Sequence, residues 1–184
     1  MAEGVMEVET AQEKVQKAVR EATAEEGKYL TFFLGGEEYG LEILKVQEIF
    51  GIMDVTPVPR TPDFIKGVIN LRGKVIPVVE LRAKFEMETI DDTDETCIIV
   101  VQTHGLHMGI IVDKVSEVLD IAAEDIEDAP SFGGEVRTDY ILGIGKAEGR
   151  VRLLLDIDKV LSSGDLTALQ AATSSRERAS QTEN

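Results

Sequence analysis

One cysteine, no tryptophan, five prolines and two histidines set the first limits on this chain. With Cys97 alone there is no internal disulfide. Its neighbours Ile98-Ile99-Val100-Val101 predict a buried strand residue and not a reactive thiol. Basic residues are also scarce. Nineteen Lys and Arg against 35 Asp and Glu leave a formal net charge of −16. Such a chain is repelled by nucleic acid and by anionic lipid, which argues against both as direct partners. No apolar run approaches the roughly 18 residues that a membrane span requires. The start, Met1-Ala2-Glu3-Gly4, has neither a basic region nor an apolar stretch, so no secretory signal is expected.

Chemistry-bearing patterns are equally thin. His104 and His107 share the turn Thr103-His104-Gly105-Leu106-His107 and would need a third ligand to hold a metal; plain exposure is the expectation. No Ser/Cys-His-Asp arrangement is visible. Gly143-Ile144-Gly145 lacks the continuation of a phosphate-binding Gly-x-Gly-x-x-Gly loop. Glu86, Glu88, Asp91, Asp92, Asp94 and Glu95 crowd one segment, but without the glycine-punctuated spacing of a calcium loop, and they read as a solvated linker. No carboxylate sits in an apolar run that would mark it as a general acid. Catalysis, cofactor and metal are therefore not expected. A binding module remains.

What is present is strand signal, centred on Gly67-Val68-Ile69-Asn70-Leu71-Arg72-Gly73-Lys74-Val75-Ile76-Pro77-Val78-Val79-Glu80-Leu81. It predicts two apolar strands joined at a tight turn, where Gly73 supplies the positive φ. Upstream, Tyr29 to Leu34 and Tyr39 to Ile43 form a hairpin around Gly35-Gly36, Val46 to Phe50 a further strand, and Asp54 to Pro59 a proline-limited edge. The chain then repeats itself. Tyr39 to Ile49 aligns with Met108 to Val118, and Gly67-Val68, Gly73-Lys74-Val75 and Val78 to Leu81 align with Gly143-Ile144, Gly149-Arg150-Val151 and Leu154 to Ile157. Two ordered matches predict two related all-β units, residues 28–85 and 96–161, joined by the acidic linker 86–95. Apolar runs such as Cys97 to Val101 predict burial on both faces, as two packed barrels would give. Residues 1–27 carry only the stripe Val8, Val15, Val19 and are expected to be a flexible extension. Residues 162–184 are expected to form a short helix with Leu166 and Leu169, then a frayed tail from Ser174.

Three sets of candidate binding residues follow. Arg72, with Glu48 as ion-pair partner from a neighbouring strand, either closes a turn or presents a charge. The repeat puts Glu148 in its place, so the turn itself does not need that charge. Leu30, Ile43 and Val46 are either core or an outward apolar patch, because strand alternation breaks at Leu44-Lys45. Ile110-Ile111-Val112 reads as core, or as a strand with one side turned outward or toward the other barrel.

The segments Leu34-Gly35, Glu38-Tyr39-Gly40, Val46-Gln47-Glu48-Ile49, Phe64-Ile65-Lys66-Gly67 and the Asn70-Leu71-Arg72-Gly73 turn, with Gly109 to Asp113 and Val115 to Leu119, resemble the CheW family of chemotaxis coupling proteins. The resemblance covers roughly Tyr29 to Leu161. It implies an all-β fold of two packed, five-stranded Src-homology-3-like barrels with short terminal helices. It also implies a non-catalytic, cytoplasmic adaptor that joins the cytoplasmic tips of membrane-bound chemoreceptors to the regulatory domain of the histidine kinase CheA, with further copies of the chain in arrays. Carried over by position, Leu30, Ile43 and Val46 belong to kinase docking. Glu48, Gly67, Asn70 and Arg72 belong to receptor or partner binding.

Overall fold

The computed structural model describes residues 11–22, 27–129 and 139–182. The first strands are β1 (Lys28–Leu34), β2 (Glu37–Glu42), β3 (Val46–Gly51), β4 (Ile65–Leu71) and β5 (Lys74–Glu80). After the acidic linker come β6 (Cys97–Thr103), β7 (Leu106–Val112), β8 (Lys114–Asp120), the two-residue β9 (Ile126–Glu127), β10 (Ile141–Ala147) and β11 (Arg150–Leu155). Helices are α1 (Ala11–Ala22), the single turns α2 (Leu81–Lys84) and α3 (Ile157–Val160), and α4 (Ser163–Thr182).

The strands make two sheets, in the orders β8-β1-β2-β11-β10-β9 and β3-β6-β7-β5-β4. In each, one bent segment joins the two edges. The chain leaving β3 bridges to β4 through Thr56 and Val68, which exchange two 2.9 Å backbone hydrogen bonds. The chain leaving β8 returns as β9 to pair with β10. Each sheet thus closes as a barrel of five strands, one of them bent, which removes free edges.

The expected division at the acidic linker is wrong in one respect. The repeat is real, since replacing every strand by its counterpart converts one sheet order into the other. But the barrels do not sort by halves. The first is built from β1 and β2 plus β8 to β11, the second from β6 and β7 plus β3 to β5. Parallel pairs β2–β11 and β5–β7 stitch the halves together, with Gly40 facing Leu154 and Gly109 facing Val78. Neither barrel is closed by the strands of one half.

The largest apolar cluster lies between the barrels and includes Leu30, Phe32, Leu41, Ile43, Val46, Ile99, Ile110, Val112 and Leu155. Smaller clusters fill the barrels, with Ile69, Ile76, Val78, Ile98, Val100 and Ile111 in the second and Leu119, Ile121 and Leu154 in the first. Strands such as β6 face both kinds of core, which explains their unbroken apolar runs.

The termini are more ordered than their composition suggests. Val15 and Val19, four apart on α1, are buried in the central cluster between β3 and β8, and the Gln16 side-chain carbonyl accepts the Ile49 N–H at 2.7 Å. Only Val8 of the expected stripe lies outside the described residues. At the other end the helix runs to Thr182 instead of fraying at Ser174. Ser162 and Asp165 start it with a reciprocal capping box, and Leu169 and Ala172 dock its first half. The linker is exposed as expected, apart from Met87, which packs half-buried against the central cluster, a turn at Thr93–Thr96 and the Glu88 carbonyl, which Arg82 donates to at 2.7 Å.

Candidate functional site

Arg72 sits at the tip of the β4–β5 hairpin with φ 54°, followed by Gly73 at 84°. Two successive positive values define a type I′ turn, and the Asn70 carboxamide oxygen accepts the Gly73 N–H at 2.9 Å to hold it. This turn throws the guanidinium across the barrel closure onto β3. There Glu48 lies beside a bulge and accepts both terminal nitrogens of Arg72, at 2.8 and 3.1 Å. The fork geometry is that of an arginine–carboxylate pair built for orientation. The hydrogen bonds that Arg72 donates to Glu48, then the charge of that carboxylate, raise the Arg72 pKa above its ordinary value. The Arg72 side chain is 74% exposed and that of Glu48 26%, so the pair faces solvent and adds little to folding.

The repeat supplies an internal control. Glu148 and Gly149 adopt φ 52° and 74°, the same turn with the opposite charge. Gly67 and Asn70 serve the architecture around the pair. At Gly67, φ is 148° and a Cβ would stand 2.1 Å from the Thr56 carbonyl oxygen, so only glycine fits where the barrel closes.

Leu30, Ile43 and Val46 are placed differently from an outward patch. All three are buried in the inter-barrel core. Alternation does break at Leu44-Lys45, as one turn of 3₁₀ helix, but the residue it turns outward is Leu44, 47% exposed. Beside it lies a concavity floored by Thr103, His104 and Asp158. Asp158 accepts from Lys45 at 2.8 Å and from Thr103 at 2.6 Å. Its burial works to raise the carboxyl, but those bonds outweigh it and hold it below its ordinary value. Ile110, Ile111 and Val112 are core.

The two histidines are not brought together. His104 Nε2 contacts the Asp158 carbonyl oxygen at 2.6 Å, while His107 Nδ1 faces Lys74 Nζ at 3.1 Å. Cys97 is fully buried and its Sγ–H donates to the Glu95 carbonyl at 3.1 Å. Burial pushes its thiol up to about 11. At pH 8 the native protein should therefore resist a thiol-specific chromogenic reagent, with one equivalent reacting only after unfolding in guanidinium. Rapid native labelling would contradict this placement.

Sequence reading missed one charged group. Arg152, on β11, is fully buried, Glu38 on β2 is 7% exposed, and their Nε and Oε1 atoms approach to 2.9 Å. The approach is off-angle for a hydrogen bond, so its attraction is Coulombic. Arg152 Nη1 also donates to the Ala147 carbonyl at 2.8 Å. The expectation that no carboxylate lies in an apolar setting fails at Glu38. Its neighbours Glu37 and Tyr39 gave no hint of a buried partner more than a hundred residues away.

The fold and this exposed, arginine-tipped end define a two-barrel β scaffold of the Src-homology-3-like kind. A model of the CheW-like domain matches residues 28–165. The chain is 45% identical over 152 residues to the chemotaxis protein CheW of Klebsiella aerogenes, covering 83% of this chain and 90% of that one. It is 36% identical over 135 residues to the CheW of Bacillus subtilis, covering 73% and 86%. The crystal structure of the scaffolding protein TtCheW from Thermoanaerobacter tengcongensis superposes with a TM-score of 0.70 at 33% identity, covering 77% of this chain and 96% of that one. The chain belongs to the CheW family and is a chemotaxis adaptor.

Proposed function

We infer that this adaptor couples the cytoplasmic tips of chemoreceptors to the regulatory domain of the histidine kinase CheA, so that receptor state sets kinase activity. It acts in the cytoplasm, is recruited to receptor arrays that also hold other copies of the chain, and performs no catalysis. A net charge of −16 disfavours direct contact with nucleic acid or anionic lipid. No described helix is long and apolar enough to cross a membrane.

One observation carries the reading: a forked Arg72–Glu48 pair presented to solvent on a turn that folds equally well around Glu148. A charge that the turn does not require is available to a partner. Glu48, Asn70, Gly67 and Arg72 form the partner-binding end, the two chain-shaping residues supporting the two charged ones. Kinase docking is assigned to the segment over Leu30, Ile43 and Val46. Those three set its shape from beneath, and Leu44 makes the outward contact.

The test is co-elution of the purified protein with CheA, with and without a receptor cytoplasmic fragment. Arg72→Glu is expected to weaken partner binding at least about tenfold, since it removes an arginine anchor and sets two carboxylates face to face. Its urea midpoint should stay close to that of the unaltered protein. A variant that unfolds early yet binds normally per folded molecule would overturn the assignment.

A further inference from the structure

Between α4 and the second barrel lies a hollow of about 230 Å³. Its floor is apolar, made by Pro77 and Leu169. Its rim carries Lys74 at the start of β5, His107 on β7, and Gln170 and Ser174 on α4. Among the described residues no carboxylate lines it. The chain carries 35 acidic residues out of 184, and none of the described ones lines this hollow.

The chemistry of the rim has one sign. Lys74 Nζ lies 3.1 Å from His107 Nδ1. An ammonium can only donate, so Nδ1 is the acceptor and the imidazole proton sits on Nε2. Lys74 keeps two further donors. The His107 Nε2–H, the Gln170 amide and the Ser174 hydroxyl add donors from two other elements. Water occupies about 30 Å³ per molecule, so the volume admits a small anion with part of its hydration. We propose that this hollow binds a small oxyanion, a phosphate or a carboxylate, with Lys74 as the charged anchor and His107 as the oriented donor beside it. The site does not depend on the coupling role.

The two histidines make the test self-controlled, because His104 is held elsewhere by the Asp158 carbonyl. Imidazole resonances of the full chain are followed at pH 7 in Tris chloride while sodium phosphate, or sodium acetate in a second arm, replaces sodium chloride at constant ionic strength. His107 should shift saturably and His104 should not. Lys74→Gln should weaken the apparent affinity about tenfold, the worth of one charge-assisted hydrogen bond, with an unchanged urea midpoint. Tighter saturation by phosphate identifies a phosphoryl site, and saturation by acetate a carboxylate site. Shifts that rise without saturating, that appear equally in both histidines, or that survive Lys74→Gln undiminished would each overturn the proposal.

Discussion

Gly67→Ala should be among the most damaging single substitutions in this chain, lowering stability by about 3 kcal/mol or more. The cause is steric and local. With φ at 148° and Thr56 backbone atoms 2.1 and 2.7 Å from a built Cβ, the added methyl meets carbonyl and backbone, not a flexible side chain. Relief requires moving either β4 or residues 55–57. Either movement breaks the paired Thr56–Val68 hydrogen bonds that close the second barrel. An opened barrel exposes the Ile69 and Ile76 side of the core, so loss of two hydrogen bonds is compounded by loss of apolar burial. Urea unfolding gives the magnitude, and amide exchange gives the place. The Val68 and Thr56 N–H groups should lose protection before those of β6. Gly143→Ala should act in the same sense and more weakly. Its Cβ would meet the Glu127 carbonyl at 2.6 Å, but its φ lies outside the left-handed range. A cost under about 1 kcal/mol at Gly67, with exchange unaltered, would show that the closure tolerates displacement.

The same residue shows what sequence could and could not reveal. Gly67 and Gly143 occupied matching places in the repeat, and the two closures they permit are structural counterparts. Self-similarity identifies equivalent elements because each repeat must solve the same local problem. It does not say which copy of an element pairs with which. The pairs β2–β11 and β5–β7 bring together residues far apart in sequence, and nothing local in Leu153 to Leu155 points to Tyr39 to Leu41. The acidic linker looked like a boundary because it is solvated. Solvation marks a surface loop, and a surface loop can join two barrels that share strands.

Leu30, Ile43 and Val46 illustrate a second limit. An apolar side chain that faces a neighbouring barrel and one that faces an external partner satisfy the same pattern. Burial between the barrels is a tertiary fact. Val15 and Val19 illustrate the converse. Two valines make a thin stripe for an isolated helix. They are enough when β3 and β8 already offer a cleft and Gln16 supplies a hydrogen bond to Ile49. The Arg72–Glu48 pair, by contrast, was legible as an ion pair between neighbouring strands, and Glu148 in the matching turn shows that the turn itself does not require arginine.

The second large effect is expected inside the first barrel. Arg152→Met should destabilise the chain by about 3–5 kcal/mol, because it leaves the Glu38 carboxylate buried without its ion partner. Glu38 has no equivalent compensation nearby. Arg150 approaches it at 3.5 Å from a side chain that is 60% exposed, too far and too wet to replace Arg152. The loss is therefore mostly the cost of an uncompensated buried charge, not of the contact itself. This distinction is testable in a double variant. At the repeat-related position of the second barrel stands Ile76, buried in an apolar interior, so the barrel does not require arginine there. Removing both charges, as in Arg152→Met with Glu38→Met, should recover most of the loss despite deleting the pair altogether. Additive or worse destabilisation in the double variant would mean that the pair is valued for its packing and for the Ala147 carbonyl bond. Recovery would mean that the pair adds no net stability over an apolar core and that the first barrel holds it for some other reason. The geometry offers one such reason. Arg152 also reaches Glu117 at 3.5 Å, and Glu117 occupies in the repeat the place that Glu48 holds in the second barrel. Both barrels thus hold the same glutamate with an arginine, and the difference lies in the arginine, buried at Arg152 and 74% exposed at Arg72.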